Sequence, residues 1–381
     1  EFYASAILAG RQPREIEIVW TQVEGMQGFM FNKAHSAEYA VEAFQGAWLK
    51  LRYPAQYIAA ILSNYRGFYA SSPTLPQVLY VMEALRLGIG FLPPCVNRSR
   101  ERFCVEGSNS ELRMANSERG QTRLNPSAAA HDAALSRQQM IRVPVSHING
   151  LPQALIDRHL AERQKGSFDS LADLVRRCRP GQADAQLLLN SGALDVFDAS
   201  RSTLFWQLRK LLRQGPAADE TLWGPAADDD DAAAPPVELT EPDAYEIARR
   251  EMALLGFPIT LDPLTCLGRD ESGRDIDWAR YVPVAKLKSH FGRRVNVCGL
   301  MVADRTNTTV AGDLMKFVTL ADRSGFVEAV LFPNAYNRFG HLTAAHPILA
   351  ATGIIEPFEN RRGFTLRVTR VEPPARQHKN A

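Results

Sequence analysis

Two hydrophobic periods divide the 381 residues. Up to about residue 255 apolar side chains recur at helical spacing, and beyond residue 284 they alternate. Short helix patterns lie around Phe2–Leu8 and Ile16–Met26, a helix pair fills 36–63, and a further helix fills 75–90. In the helix pair Tyr39, Val41, Phe44, Trp48 and Leu51 recur at roughly helical spacing, Ser36 stands as an N-cap and Glu38 supplies a first-turn carboxylate. Tyr53-Pro54 breaks that pair, because proline lacks the N–H and drives the preceding residue out of the helical region. Later helices are expected over Pro152–Gln164, Ser170–Cys178, Ala183–Asn190 and Pro242–Leu255. The alternating segments are Arg294–Val302, Lys316–Asp322, Phe326–Phe332, Ile348–Ile355 and Phe364–Val371, with a helix Asn334–Thr343 between the third and fourth. Five short strands with a helix before the fourth predict a five-stranded OB-fold β-barrel. The chain is thus expected to be multidomain α+β.

Two stretches have no period. Residues 107–140 are rich in Ser, Asn, Ala, Gln and Arg and read as an irregular loop. Residues 216–240, with aspartate at 228–231 among alanines and prolines, read as an acidic disordered linker. The resulting division is a helical part over 1–106, the loop 107–140, a helical module over 141–215, the linker 216–240, a helical joint over 241–283 and the barrel over 284–372.

Composition alters this picture only through charge. The overall balance of +2 conceals segregation: 141–215 carries 11 Lys+Arg against 7 Asp+Glu, 281–381 carries 14 against 7, and 216–280 carries 5 against 16. Basic modules on either side of an acidic stretch favour a polyanion such as nucleic acid, although a solvated cationic surface gives the same count. No run of about 18 apolar residues is present, so no transmembrane helix is expected. The five cysteines form no C-x-x-C pair and read as reduced thiols of a cytosolic protein. Glu1 at the start suggests a chain cut from a longer one, or one trimmed at its start.

The segment FMFNKAHSAEYA, residues 29–40, resembles the GFNKSHSAAYA-type passage in the fingers of the bacterial C-family DNA polymerases, the family of the DNA polymerase III alpha subunit and its error-prone relatives. FLPPCVNRSRERF at 91–103 is similar to that family's LPPDIN passage, with Cys95 and Val96 in place of its acidic and apolar residues. The resemblance implies a nucleotide- or template-facing role for Asn32, Lys33, His35 and Ser36 at a loop-to-helix junction, where free N–H groups and a cation can face a phosphate. Capping and solvation would explain the same four residues.

Residues 141–215 resemble the tandem helix-hairpin-helix module that follows the fingers in this family. INGLP at 148–152 stands where the first hairpin is expected, with Pro152 replacing its second glycine and removing one N–H. Pro180-Gly181 and Ser191-Gly192-Ala193 mark the next turns. Such hairpins grip duplex backbone without sequence preference, so the resemblance assigns DNA contacts to Gly150, Arg158, Arg163, Lys165, Arg176, Arg177, Gly181 and Gly192, within a positive field to which Arg142 and Arg179 add.

On the barrel, Arg305, Lys316, Phe317, Arg361 and Arg362, with Phe326, are the basic and aromatic groups that OB-folds use on single strands; core packing is the competing reading for each phenylalanine. Leu222 and Trp223 in the linker stand where family members carry a peptide for the sliding clamp, without its leading glutamine; an incidental apolar pair is the competing reading. No Asp-x-Asp pair for two-metal catalysis, no phosphate-binding loop and no metal cluster is found, so no catalytic residue and no metal ligand is assigned. The expectation is the C-terminal part of a DNA-directed DNA polymerase, bacterial and cytoplasmic, whose parent uses Mg2+ in replication or damage-tolerant synthesis. A non-catalytic DNA-binding accessory protein is the alternative.

Overall fold

The computed structural model describes residues 2–25, 33–69, 76–107, 139–197, 200–214, 241–358 and 363–377. The chain divides into two compact units, Glu1–Tyr53 and Pro54–Ala381.

The first unit holds helices α1 (Phe2–Leu8), α2 (Pro13–Gly25) and α3 (Lys33–Arg52). Tyr3 meets Trp20 edge-on, with ring centres 5.7 Å apart. Helix α3 begins one turn earlier than its expected cap, so Ser36 lies in its first turn rather than ahead of it. Val41, Phe44, Trp48 and Leu51, the apolar stripe of α3, are exposed.

The second unit starts with α4 (Pro54–Tyr69) and α5 (Pro76–Arg86), which pack together on Ile58, Leu62, Val78 and Val81. A three-stranded sheet follows that the periodicity did not announce. Strand β3 (Gln139–Arg142) lies between β1 (Gly90–Leu92), with which it is parallel, and β2 (Cys104–Gly107), with which it is antiparallel. Then come α6 (Gln153–Lys165), α7 (Leu171–Cys178), α8 (Gln182–Asn190) and α9 (Arg201–Gln214). Ser170 caps α7 by accepting from the Asp173 N–H. Beyond residue 240 come α10 (Ala244–Leu255), capped by Asp243 and closed by Gly256, and the short α11 (Pro263–Gly268).

The C-terminal barrel is closed in the order β4-β5-β6-β8-β7, with β7 returning to β4. Its strands are β4 (Arg294–Thr308), β5 (Leu314–Asp322), β6 (Gly325–Leu331), β7 (Ile348–Pro357) and β8 (Phe364–Glu372). Only β6 and β8 run parallel, and helices α12 (Pro333–Phe339) and α13 (Leu342–Ala345) fill the connection before β7. This is the OB-fold topology expected from the alternation.

Period 2 also explains how the barrel is held. Val295, Val297, Leu349 and Ala351 point into the barrel. Residues of the opposite parity on the same strands, Cys298, Leu300, Ile348 and Ala350, belong to the main core with α4, α5 and the helical module. One wall of the barrel is therefore part of the core of the second unit, not a bead on a tether. The segment after β8 fastens it further: Asp277 donates its N–H to the Ala375 carbonyl at 2.9 Å, and Ala375 donates to the Tyr281 hydroxyl at 2.7 Å.

Candidate nucleic-acid interface

Three turns in 148–195 determine what the helical module can offer a phosphate. In the first, Gly150 is exposed at φ +84°, a left-handed conformation that favours glycine. The Asn149 N–H is used on the Leu254 carbonyl at 2.8 Å and the Leu151 N–H on Ile148 at 3.3 Å. Pro152 has no N–H, and its carbonyl accepts from Leu155 and Ile156. The donors left to face outward are those of Gly150 and of the first α6 residues, Gln153 and Ala154, which lack intrahelical partners. Pro152 thus costs one donor without disturbing the helix start.

The second turn joins α7 to α8. Arg179 takes φ +46°, the single positive-φ residue other than glycine among the described residues, and its N–H closes α7 on the Val175 carbonyl. Its side chain is exposed. Gly181 caps α8 but directs its own N–H to the Asp184 carboxylate at 3.3 Å. Gln182 and Ala183 are exposed at the helix start.

The third turn is internal. Gly192 is buried at φ +83°, its N–H and that of Ala193 returning to Leu189 and Leu188 to end α8. A Cβ there would meet Arg201 Nη2 at 2.6 Å and Pro93 Cβ at 3.3 Å. Arg201 forms a two-pronged pair with Asp195, at 2.8 and 3.0 Å, beneath this turn.

The cations divide in the same way. Arg142 is buried on the Glu106 carboxylate and the Pro93 carbonyl. Arg163 donates to the Ser99 carbonyl, and Arg177 spans Glu162 and Asp173 with its guanidinium 4.3 Å from the Phe168 ring centre. Lys165 and Arg177 hold Glu162 below the usual carboxylate range. Arg158, Lys165, Arg176 and Arg179 are exposed. Of these Arg158 also donates to the Cys178 carbonyl at 2.9 Å, Lys165 pairs with Glu162 at 2.6 Å and Arg176 with Asp173 at 2.6 Å.

On the barrel, Arg305 of β4 lies opposite Phe317 of β5, and its guanidinium stands 4.5 Å from the ring centre. Lys316 points into a brace, bonding Asp304 at 2.7 Å and the Thr343 hydroxyl at 2.9 Å. Phe326 packs on the main core. In the first unit His35 is exposed and meets the Tyr39 ring edge-on at 4.3 Å. Lys33 and Ser36 are on the first turn of α3. Asn32, Leu222, Trp223, Arg361 and Arg362 lie outside the described residues.

The first two turns, each opening a short helix with exposed N–H groups near exposed arginines, give the region the layout of a helix-hairpin-helix module. A profile of the helix-hairpin-helix motif matches residues 88–204, which also takes in the small sheet. Over nearly its whole length the chain resembles bacterial DNA polymerases of the C family. It is 29% identical to an error-prone DNA polymerase of Symbiobacterium thermophilum, over 97% of this chain and 34% of that protein. It is 28% identical to the error-prone DNA polymerase of Anaeromyxobacter dehalogenans strain 2CP-C, over 97% of this chain and 30% of that one. The DNA polymerase III subunit alpha of Escherichia coli O157:H7 is 27% identical, over 88% of this chain and 27% of its own length. The chain spans about a third of the length of these relatives.

Proposed function

We propose that the chain is the DNA-gripping part of a bacterial DNA polymerase, running from the fingers to the barrel. The parent enzyme transfers nucleotides to a primer 3′ end on a DNA template. The observation that carries this reading is the alignment of 97% of the chain with proteins named error-prone DNA polymerase. Those names favour damage-tolerant synthesis during repair over bulk replication, in the bacterial cytoplasm.

Within this part, the exposed N–H groups at Gly150 and at the starts of α6 and α8, with Arg158, Lys165, Arg176 and Arg179, hold duplex phosphates. Arg305 and Phe317 take the single strand on the barrel. Arg163, Arg177 and Lys316 contribute by holding these elements in place. Asn32, Lys33, His35 and Ser36 face the nucleotide or template, and Leu222 and Trp223 are the anchors offered to a sliding clamp. Magnesium is proposed for the parent polymerase. No group of three His, Cys, Asp or Glu converges among the described residues, and no residue of this chain is assigned to the metal.

The test is binding of the purified chain to a primer-template duplex across a salt series, with primer extension in magnesium measured alongside. Sequence-independent binding that weakens by about 0.9 log units per log unit of salt for each phosphate held is expected, without extension. A folded chain that binds no DNA at low salt overturns the reading. Extension would place the catalytic groups within these 381 residues.

A further inference from the structure

We propose that the outer face of α9 is a second surface for single-stranded DNA, stacking bases on Phe205 and Trp206 and holding phosphates with Arg209 and Arg213. The inference rests on the reading of the chain as the DNA-gripping part of a polymerase and adds to it a surface apart from the hairpin turns and the barrel.

The orientation of α9 is fixed by its other face. Leu204 and Leu208 are buried, and Leu211 and Leu212 pack partly against the same core. At 100° per residue, Phe205, Trp206, Arg209 and Arg213 then share one outward arc of about 100°. Phe205 and Trp206 are each 39% exposed, and both arginines are exposed. The Arg209 guanidinium lies 5.7 Å from the Phe205 ring centre, so ring and cation are offered together.

Two features select the occupant. The helix RSTLFWQLRKLLRQ contains no acidic residue, and besides Arg201, which is paired with Asp195, it carries Arg209, Lys210 and Arg213, so its field attracts a polyanion rather than an apolar protein groove. Half-exposed flat rings gain most from bases whose faces are open, which a single strand offers and a stacked duplex does not. The helix also packs against α7 and α8, the two helices of the second hairpin, so the surface adjoins a turn already assigned to the DNA backbone.

The experiment compares the full chain with Trp206→Ala and with Arg209→Gln/Arg213→Gln, binding fluorescent oligo-dT and a blunt duplex across a salt series. Thermal melts confirm folding. Loss of one stacked base weakens oligo-dT binding about fivefold to 150-fold in Trp206→Ala, with the salt slope unchanged. The double variant lowers that slope by about 1.4, two phosphates on a single strand. Duplex affinity changes less in both. Photocrosslinking of a halogenated-uracil oligonucleotide to the unmutated chain, mapped by mass spectrometry, supplies a readout that needs no variant, and adducts on Phe205 or Trp206 are expected. Unchanged oligo-dT affinity in folded variants, or crosslinks confined to other segments, overturns the inference, as does a chain that binds duplex but no single strand. A chain that binds neither removes the functional reading as well.

Discussion

His147 Nε2 lies 3.0 Å from the backbone carbonyl of Leu255, 108 positions later in the chain, and the Gln77 side-chain amide stands at the same distance. The Leu255 carbonyl ends α10 and has no partner within the helix, so the imidazole supplies one when its proton is on Nε2. Two residues on, Asn149 adds its N–H to the Leu254 carbonyl. Phe103 and Phe257 enclose the ring. The first hairpin is thereby held from beneath by α10, which follows the acidic stretch of the sequence, and its one exposed glycine is presented from a fixed base.

Replacing His147 by alanine is expected to cost about 2–4 kcal/mol, from an orphaned buried carbonyl and a void between the two phenylalanines. Urea unfolding gives the magnitude. Amide exchange gives the location: Asn149 and Leu151, whose N–H groups are bonded at this turn, are expected to exchange faster while Arg179 and Gly181 hold. A uniform rise across both hairpins would mean that His147 stabilises the unit without positioning the turn.

Glu251 makes the second such bond set. It is 1% exposed, and its carboxylate accepts from the Ile259 and Thr260 N–H groups and the Thr260 hydroxyl, each at 2.7 Å. Glu251→Ala orphans all three donors and is expected to cost about 3 kcal/mol or more. Glu251→Gln, which keeps one accepting oxygen, should cost roughly half as much. Equal losses for the two variants in chemical denaturation would show that packing, not acceptance, is what the carboxylate provides.

How far these features were legible in the sequence depends on whether their cause is local. Barrel strands came through because Val295, Val297, Leu349 and Ala351 alternate, and alternation is a property of neighbours. What covers the opposite face is not, so the burial of Cys298 and Leu300 in the main core carries no local mark. Strands β1, β2 and β3 have three or four residues each, too few to show a period. Gly150 and Gly192 look alike in the sequence, yet one is exposed and the other is buried against Arg201 and Pro93. Cations counted as equals also divide: Arg163 is taken by a carbonyl 64 positions away, while Arg179 has no such use. The aromatic pair on α9 was missed because Leu204, Phe205, Trp206 and Leu208 read as one apolar run until their neighbours are placed.

His159 gives the module a pH dependence. Its Nε2 is 2.8 Å from the Val96 carbonyl and its buried Nδ1 has no partner, which defines a neutral ring protonated at Nε2. Burial, aided by the nearby Arg163 cation, pushes the imidazole below its ordinary value against the raising effect of the Val96 bond. The folded value is therefore lower than the unfolded one, and the unfolded chain takes up the proton first. Stability is full above about pH 6.5 and falls as the pH drops below it towards the folded value. His159→Phe, which keeps the stacking on Phe168 and removes the titration, is expected to flatten this part of the curve. An unchanged slope between about pH 6.5 and 5 in urea midpoints would assign the dependence to other groups.

Arg179 sets stability against DNA binding at a single position. Its φ of +46° closes α7 in the left-handed region, where a side chain costs about 1–2 kcal/mol and glycine costs none. Glycine's larger unfolded-state entropy takes back about 0.5–1 kcal/mol, so Arg179→Gly should stabilise the chain by a few tenths of a kcal/mol to about 1 kcal/mol. The same change removes the exposed cation at the second hairpin, and the salt dependence of duplex binding should fall by about 0.9 in log–log slope, one phosphate contact. Arg179→Lys separates the two effects: it retains the strain and the charge, so neither the melting temperature nor the slope should move. A glycine variant that is more stable and binds duplex with the parental slope would show that Arg179 only ends the helix and holds no phosphate. A glycine variant that is less stable would mean that the left-handed turn is paid for by contacts of the arginine side chain itself.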